Sequence, residues 1–303
     1  MKLSISNIGW STGDETIYEM MQHKGFAGLE IAPTRIIPDS PYDHLEDAMK
    51  WAAGLKEVFG FVVPSMQSIW YGRTEHIFGS EEERQLLIDY TKKAIDFAAA
   101  IGCGNLVFGC PKNRSIPVGF DHTDNDHSDC DSSSENYDHS DSSHTDCGHP
   151  GSSPAVSDTV SRYHEIGISF FKEIGDYAAE KGTVIGMEAN PSIYGTNYVN
   201  RTWEALELID KVSSDGFKLN LDIGTMIQNE ENIDILRGKA VLINHVHISE
   251  PYLAPIERRE LHRELKELLE AENYDGFISI EQGKQDDLFT IEKALDYAKE
   301  IFG

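Results

Sequence analysis

Thr183-Val-Ile-Gly-Met-Glu188, Phe217-Lys-Leu-Asn-Leu-Asp222, Leu242-Ile-Asn-His-Val-His247 and Phe277-Ile-Ser-Ile-Glu281 are four short apolar runs, and each ends in a side chain able to bind a metal ion. Segments with helical patterning separate them, so the stretch from Thr183 to Gln282 reads as alternating strand and helix. Parallel strands joined in this way place all their C-terminal ends on one face of a sheet or barrel. The pattern therefore sends Glu188, Asp222, His247 and Glu281 to one place. Two glutamates, an aspartate and a histidine form an oxygen-rich donor set with one nitrogen. Such a set suits a divalent ion of the manganese or magnesium type better than structural zinc. Burying three carboxylates together is also costly unless a cation neutralises them.

Four more strands precede this stretch: Leu3–Ile8, Ala27–Ile31, Phe61–Gln67 (interrupted by Pro64) and Asn105–Phe108. Helical patterns cover Asp14–His23, His44–Phe59, the segment from the capping box Ser80-Glu-Glu-Glu83 to Ala100, and Ile166–Lys181. Further helices are expected near Arg201–Val212, Asn229–Leu236, Glu257–Glu272 and Leu288–Phe302. Eight strand–helix pairs over 303 residues predict a closed (β/α)8 barrel, one α/β domain spanning residues 1–303. A doubly wound open sheet would carry a glycine-rich turn after its first strand. Gly9-Trp-Ser-Thr-Gly-Asp14 has none, and no phosphate-binding P-loop occurs elsewhere.

Between residues 121 and 153 the composition changes to Asp, Ser, His, Thr and Gly, with eight Asp, one Glu and no Lys or Arg. Such a segment cannot bury a core and is expected to be a disordered insertion after strand four. His122, His127, His139, His144 and His149 lie in it with Cys130 and Cys147, but their spacing matches no zinc finger, and a linker is the expectation. The whole chain carries a formal net charge of -26, which argues against nucleic acid and anionic membrane as partners. Four cysteines, two of them in the insertion, make no disulfide framework, and Met1–Trp10 lacks a signal-peptide run. A cytoplasmic protein is the expectation.

Further candidates surround the four strand ends. His245 shares a strand face with His247, and Asn220 with Asp222, because side chains alternate along a strand. Glu250 is placed to hold a helix N-terminus or a substrate hydroxyl. Lys112 and Arg114 after strand four, and Arg73 after strand three, are cations beside an acidic face and suit a phosphate or carboxylate on a substrate. Trp10, Trp70 and Tyr71 fall at strand ends, where aromatic walls line sugar sites and also simply fill cores.

The motifs Gly186-Met-Glu-Ala-Asn-Pro191, Leu219-Asn-Leu-Asp-Ile-Gly224, His245-Val-His-Ile-Ser-Glu250 and Ile278-Ser-Ile-Glu281 resemble those of the xylose-isomerase-like TIM-barrel superfamily of sugar phosphate isomerases and epimerases. The resemblance covers nearly the whole chain except the insertion. For the ketose 3-epimerases of that superfamily it implies a divalent metal, commonly manganese, held by Glu188, Asp222, His247 and Glu281. Magnesium, cobalt and zinc are the alternatives. It further implies that the two glutamates shuttle the substrate proton. The same pattern has a His three residues after the Asp, an Arg six after the metal His and a substrate-binding Glu six after the first Glu. Here those positions hold Thr225, Leu253 and Tyr194.

The expected activity is a metal-dependent sugar or sugar phosphate isomerase or epimerase that works through an enediolate. Glu188 and Glu281 are its acid–base pair on opposite sides of the barrel mouth, and Lys112, Arg114, Arg73, His245, Asn190, Glu250, Trp10 and Trp70 line its substrate site. A keto-polyol or dehydroshikimate-type dehydratase, and a non-catalytic barrel that binds a sugar or a metal, are the rival readings. A small-molecule sugar is the expected partner, with self-association left open.

Overall fold

The computed structural model describes residues 1–117 and 154–303. The expected insertion at 121–153 lies outside the described residues. Eight parallel strands form one sheet: β1 (Lys2–Ser6), β2 (Gly28–Glu30), β3 (Ser65–Met66), β4 (Asn105–Phe108), β5 (Val184–Met187), β6 (Phe217–Asp222), β7 (Ile243–Ile248) and β8 (Phe277–Ile280). They are hydrogen-bonded in the order β2-β1-β8-β7-β6-β5-β4-β3. Isolated bridges Gly28–Val62 and Ile31–Met66 bring β2 and β3 together, so the sheet is a nearly closed (β/α)8 barrel. The helices between the strands are α1 (Asp14–Lys24), α2 (Pro33–Ile36), α3 (Leu45–Phe59), α4 (Glu81–Ile101), α5 (Pro154–Glu180), α6 (Thr202–Val212), α7 (Ile223–Gln228), α8 (Glu260–Ala271) and α9 (Leu288–Phe302). No helix among the described residues is long and apolar enough to cross a membrane.

Local chemistry sets the element ends. Helix α4 opens on the Ser80/Glu83 capping box and closes on Gly102 at φ 71°, a left-handed position that a side chain would strain. The third strand is shorter than Phe61–Gln67 suggests, because Pro64 offers no N–H to a neighbour and only Ser65–Met66 enter the ladder. The expected helix at Asn229–Leu236 is a 3-10 turn over Ile233–Leu236. The true helix of that unit, α7, begins immediately after β6, because the Asp222 carboxylate accepts the N–H groups of Gly224 and Thr225 and starts the helix there.

The strand alternation sorts side chains into two layers. Ile5, Leu29, Leu106, Phe108, Ile185, Met187, Leu219, Leu221, Val246, Ile278 and Ile280 are all buried in the apolar core. The alternate positions carry Ser4, Ser6, Glu30, Ser65, Asn105, Asn220, His245, His247 and Ser279, equally buried but polar. Hydrogen bonds join these across the barrel: Asn105 Nδ2 donates to Ser65 Oγ (3.0 Å) and Asn220 Oδ1 (3.2 Å), and Gln67 Nε2 donates to Ser6 Oγ (2.7 Å) and Glu30 Oε1 (3.2 Å). The barrel interior is thus a polar network, in contrast to the branched apolar layers that usually fill such barrels. Gly186 makes room for it: a Cβ there would lie 2.5 Å from Asn105 Oδ1.

Candidate active site

The end of β7 supplies the central group. His247 is fully buried, and its two ring nitrogens face different partners. Nε2 lies 2.8 Å from Glu30 Oε2, and Nδ1 lies 3.0 Å from Glu188 Oε1 and 3.2 Å from Glu281 Oε2. His245, one strand pitch below, brings its Nε2 to 3.1 Å from the same Glu30 oxygen. Glu30 has no exposed surface and sits at the end of β2. Burial pushes its carboxyl up, but the two histidines, His247 foremost, hold it well below the usual carboxylate range. An ionised Glu30 accepts a hydrogen bond from Nε2–H of His247 and keeps the proton there, which leaves Nδ1 with a lone pair in the neutral ring.

That lone pair points at two carboxylates. The arrangement is repulsive unless a proton or a metal ion lies on the Nδ1 side. Burial works against a charged His247, yet Glu30, Glu281 and Glu188 raise its pKa well above the normal value. A cation is therefore wanted at this point, and the donor set fits a divalent one. Two donors about 2.1 Å from one ion and 90° apart are separated by about 3.0 Å, as these nitrogen–oxygen pairs are. Glu188, His247 and Glu281 would hold the ion, and Glu30 takes the carboxylate–histidine position behind the ligand.

Asp222 lines the same cavity, but its carboxylate is turned onto the first turn of α7. Oδ2 accepts from Thr225 N (2.9 Å) and Thr225 Oγ1 (2.8 Å), and Oδ1 accepts from Gly224 N (3.3 Å) and from Ser249 Oγ. Burial first, and then the charge of Glu188, raise its pKa. Glu281 is likewise raised by burial, with His247 pulling it down and Glu188 and Asp222 pushing it up. The structure thus gathers three of the four expected ligands around one point and gives the fourth a second task. The two glutamates flank one histidine nitrogen, at 3.0 and 3.2 Å.

Glu188 is positioned by a relay. Asn220 Nδ2 donates to its Oε1 (2.8 Å) and Asn190 Nδ2 to its Oε2 (3.1 Å). Arg114, expected at the substrate, is buried under the cavity floor. It donates to Glu188 O (2.8 Å), Asn190 Oδ1 (3.0 Å) and Val199 O (3.2 Å), so it braces the loop after β5. Arg73 lines the cavity but is bound to Glu75 and lies 4.8 Å from the Tyr90 ring. Glu250 also lines it, its carboxylate held by Arg259 Nε (2.8 and 2.9 Å). Trp70 is a wall residue whose Nε1 donates to Thr91 Oγ1 (2.8 Å). Trp10 is fully buried, and its Nε1 donates to Asp14 Oδ1 (2.7 Å), so it packs outside the cavity. Lys112 is exposed on the cavity wall.

Glu30 and Ser249, which contact His247 and Asp222, are the candidate site positions that motif reading missed. The signal for Glu30 was present, an acid at the end of the second strand, but that strand lies far from the four runs in sequence. Ser249 sits two residues after His247, on the same face.

A model of the xylose isomerase-like TIM barrel family matches residues 19–301. No curated protein sequence is similar enough to count as a relative. Among solved structures, the 3-keto-D-glucoside 4-epimerase of E. coli is 19% identical, covers 99% of both chains and superposes with a TM-score of 0.69. The D-psicose 3-epimerase of Clostridium cellulolyticum H10, solved with D-tagatose, is 15% identical at a TM-score of 0.68, over 100% of this chain and 99% of that one. The IOLI protein, solved with a zinc atom, is 14% identical at a TM-score of 0.64, over 99% and 96% of the chains.

Proposed function

The chain belongs to the xylose isomerase-like TIM barrel family, and from that premise we propose that it is a metal-dependent isomerase or epimerase of a sugar. The observation that carries this reading is the convergence of Glu188 and Glu281 on Nδ1 of His247 at the end of a cavity of about 670 Å³. Binding a sugar without a metal needs no such pair of carboxylates, whereas proton transfer at a carbon beside a carbonyl needs a base on one side and an acid to return the proton. The sugar substrates named for the structural neighbours support a sugar here.

A bound divalent ion supplies Lewis-acid polarisation of a substrate carbonyl, which makes the adjacent C–H acidic. The residues of this chain do the rest. One of Glu188 and Glu281 takes the proton from the substrate carbon, leaving an enediolate, and a carboxylic acid returns it. Asn190 and Asn220 fix both oxygens of Glu188 while it does so. Glu281 has a raised pKa, which suits a carboxyl that must hold a proton near neutrality.

The cavity differs from that implied for the ketose 3-epimerases. Tyr194 lines it with its hydroxyl accepting from Tyr252 N (2.8 Å), Leu253 lines it with an apolar side chain, and the Thr225 hydroxyl is spent on Ala189 O and Asp222. Three polar contacts are therefore replaced, and the sugar is recognised by other groups. The test is solvent exchange: in deuterium oxide with manganese, the protein should exchange the hydrogen beside the carbonyl of a ketose, read by proton NMR. Absence of exchange across a set of ketoses, keto-glycosides and their phosphates would refute the reading.

A further inference from the structure

Glu188, Asp222 and Glu281 occupy one end of the 670 Å³ cavity. A ketohexose has twelve non-hydrogen atoms and fills about 200 Å³ at the packing density of protein interiors. Most of the cavity therefore lies beyond a monosaccharide held at the carboxylates. The remainder is bounded by the loops after β3 and β4.

These loops form a fixed wall. Asn113 Nδ2 donates to Arg73 O (3.2 Å) and Glu75 O (2.8 Å), and Ile77 N donates to Asn113 O (2.9 Å), so each loop is tied to the other. Within the first loop, Tyr71 N donates to Ser68 O and Arg73 N to Trp70 O, both at 3.0 Å. Ser68 (φ 55°) and Cys110 (φ 43°) are left-handed without being glycine, a backbone strain that the cross-links sustain. Side chains on this wall are thus presented in set positions.

Two of these side chains make no hydrogen bond or ion pair among the described residues. Tyr71 is 71% exposed beside the cavity, where burial would be expected of an aromatic ring used for packing. Lys112 sits in the Pro111–Asn113 turn and makes no ion pair or hydrogen bond among the described residues. The other cations near the cavity are engaged: Arg73 by Glu75, Arg114 by Asn190 and two carbonyls, Arg259 by Glu250. Lys112 does not neutralise the three carboxylates either, since no ion pair joins it to them.

We propose that Lys112 and Tyr71 form a distal subsite for an anionic substituent, a phosphate or a carboxylate, on the sugar that reacts at Glu188 and Glu281. This rests on the sugar reading above. Tyr71 offers a ring face to the apolar face of the substrate, and the ammonium pairs with the anion. The experiment compares a neutral ketose, its terminal phosphate and the corresponding keto-uronate on the manganese-loaded protein. Wild type should show kcat/KM at least about tenfold higher for one anionic sugar than for the neutral one. Lys112→Ala should collapse that ratio toward one, and Lys112→Arg should restore most of it. The preferred arm decides between phosphate and carboxylate. A wild-type ratio near one, or a ratio unchanged in Lys112→Ala, overturns the subsite. Calorimetric binding of the same sugars is read in parallel. If no sugar is turned over but the anionic one still binds Lys112-dependently, the catalytic reading has failed and the subsite stands. If neutral ketose exchanges its proton with no charge preference, the subsite has failed and the catalytic reading stands.

Discussion

The two sides of the barrel mouth are built by different means. From β5 to β8 the candidate reactive groups stand in the last residues of the strands or immediately beyond them, and a buried polar network beneath them fixes their direction. Around β3 and β4 the cavity wall consists of loops held by the Asn113 side-chain amide, which donates to Arg73 O and Glu75 O, and by Ile77 N donating to Asn113 O. Strand ends allow little variation in direction, so they suit groups whose geometry must be exact for proton transfer. Loops vary in length and sequence at small cost, so they suit recognition of the part of a substrate that does not react.

The sharpest test of that division is at the strand ends. Glu188→Gln and Glu281→Gln should each lower proton exchange by about 10²–10⁴-fold, the usual worth of a positioned acid or base. Metal content must be measured alongside, since both residues are also candidate ligands. A variant that keeps its metal and full exchange would remove that residue from the chemistry.

Next in size is the layer behind the site. Glu30→Gln removes the charge that keeps the Nε2 proton on His247, and manganese affinity should fall about 10–100-fold. Calorimetry in buffers of different ionisation enthalpy should show wild type releasing protons on binding manganese at pH 7, because His247 and Glu281 are both raised in the metal-free protein. Unchanged affinity in Glu30→Gln would show that packing alone orients the histidine. Arg114→Met should destabilise the fold by roughly 3 kcal/mol, because it strands the Glu188 carbonyl and the Asn190 amide oxygen in a buried place. Loss of activity without loss of stability would instead assign Arg114 to the substrate.

Smallest at the site, though measurable in stability, is an effect remote from it. His262 on α8 is fully buried against the Tyr297 hydroxyl (2.9 Å), and burial, aided by Arg259, lowers its pKa to about 4. The folded state thus takes up this proton later than the unfolded one does. Its neutral-state stability is fully present above about pH 6.5 and is lost as pH falls from there to about 4. Denaturant titrations should show a slope over that window in wild type and a flatter one in His262→Gln. An identical slope would show that His262 does not set the acid sensitivity.

Much of this was legible from sequence, for reasons that particular residues make plain. Strand β4 falls on Asn105–Phe108 and helix α9 on Leu288–Phe302, as the apolar patterns indicate, because each is bounded by residues that end it. Asn229–Leu236 misled because only its second half, with Ile233 and Leu236 buried three residues apart, forms a turn, while the cap that starts α7 is a ligand-type aspartate. Pro64 shortened β3 in the direction expected of a residue without an N–H.

The sequence by itself determined the strand order around the barrel and which residues stand at the strand ends, since both follow from periodicity and connection along the chain. It also determined that acids and a histidine meet at the mouth, because parallel strands leave them no other place. Only the tertiary structure decided what each of these side chains touches. It put Glu30 of β2 against a histidine of β7, turned Asp222 onto its own helix, sank Arg114 beneath Glu188 and left Lys112 without an ion pair among the described residues. Those outcomes depend on which strands closure brings face to face across the interior and on competition among buried polar groups for partners. Both are properties of the packed barrel and of no single segment.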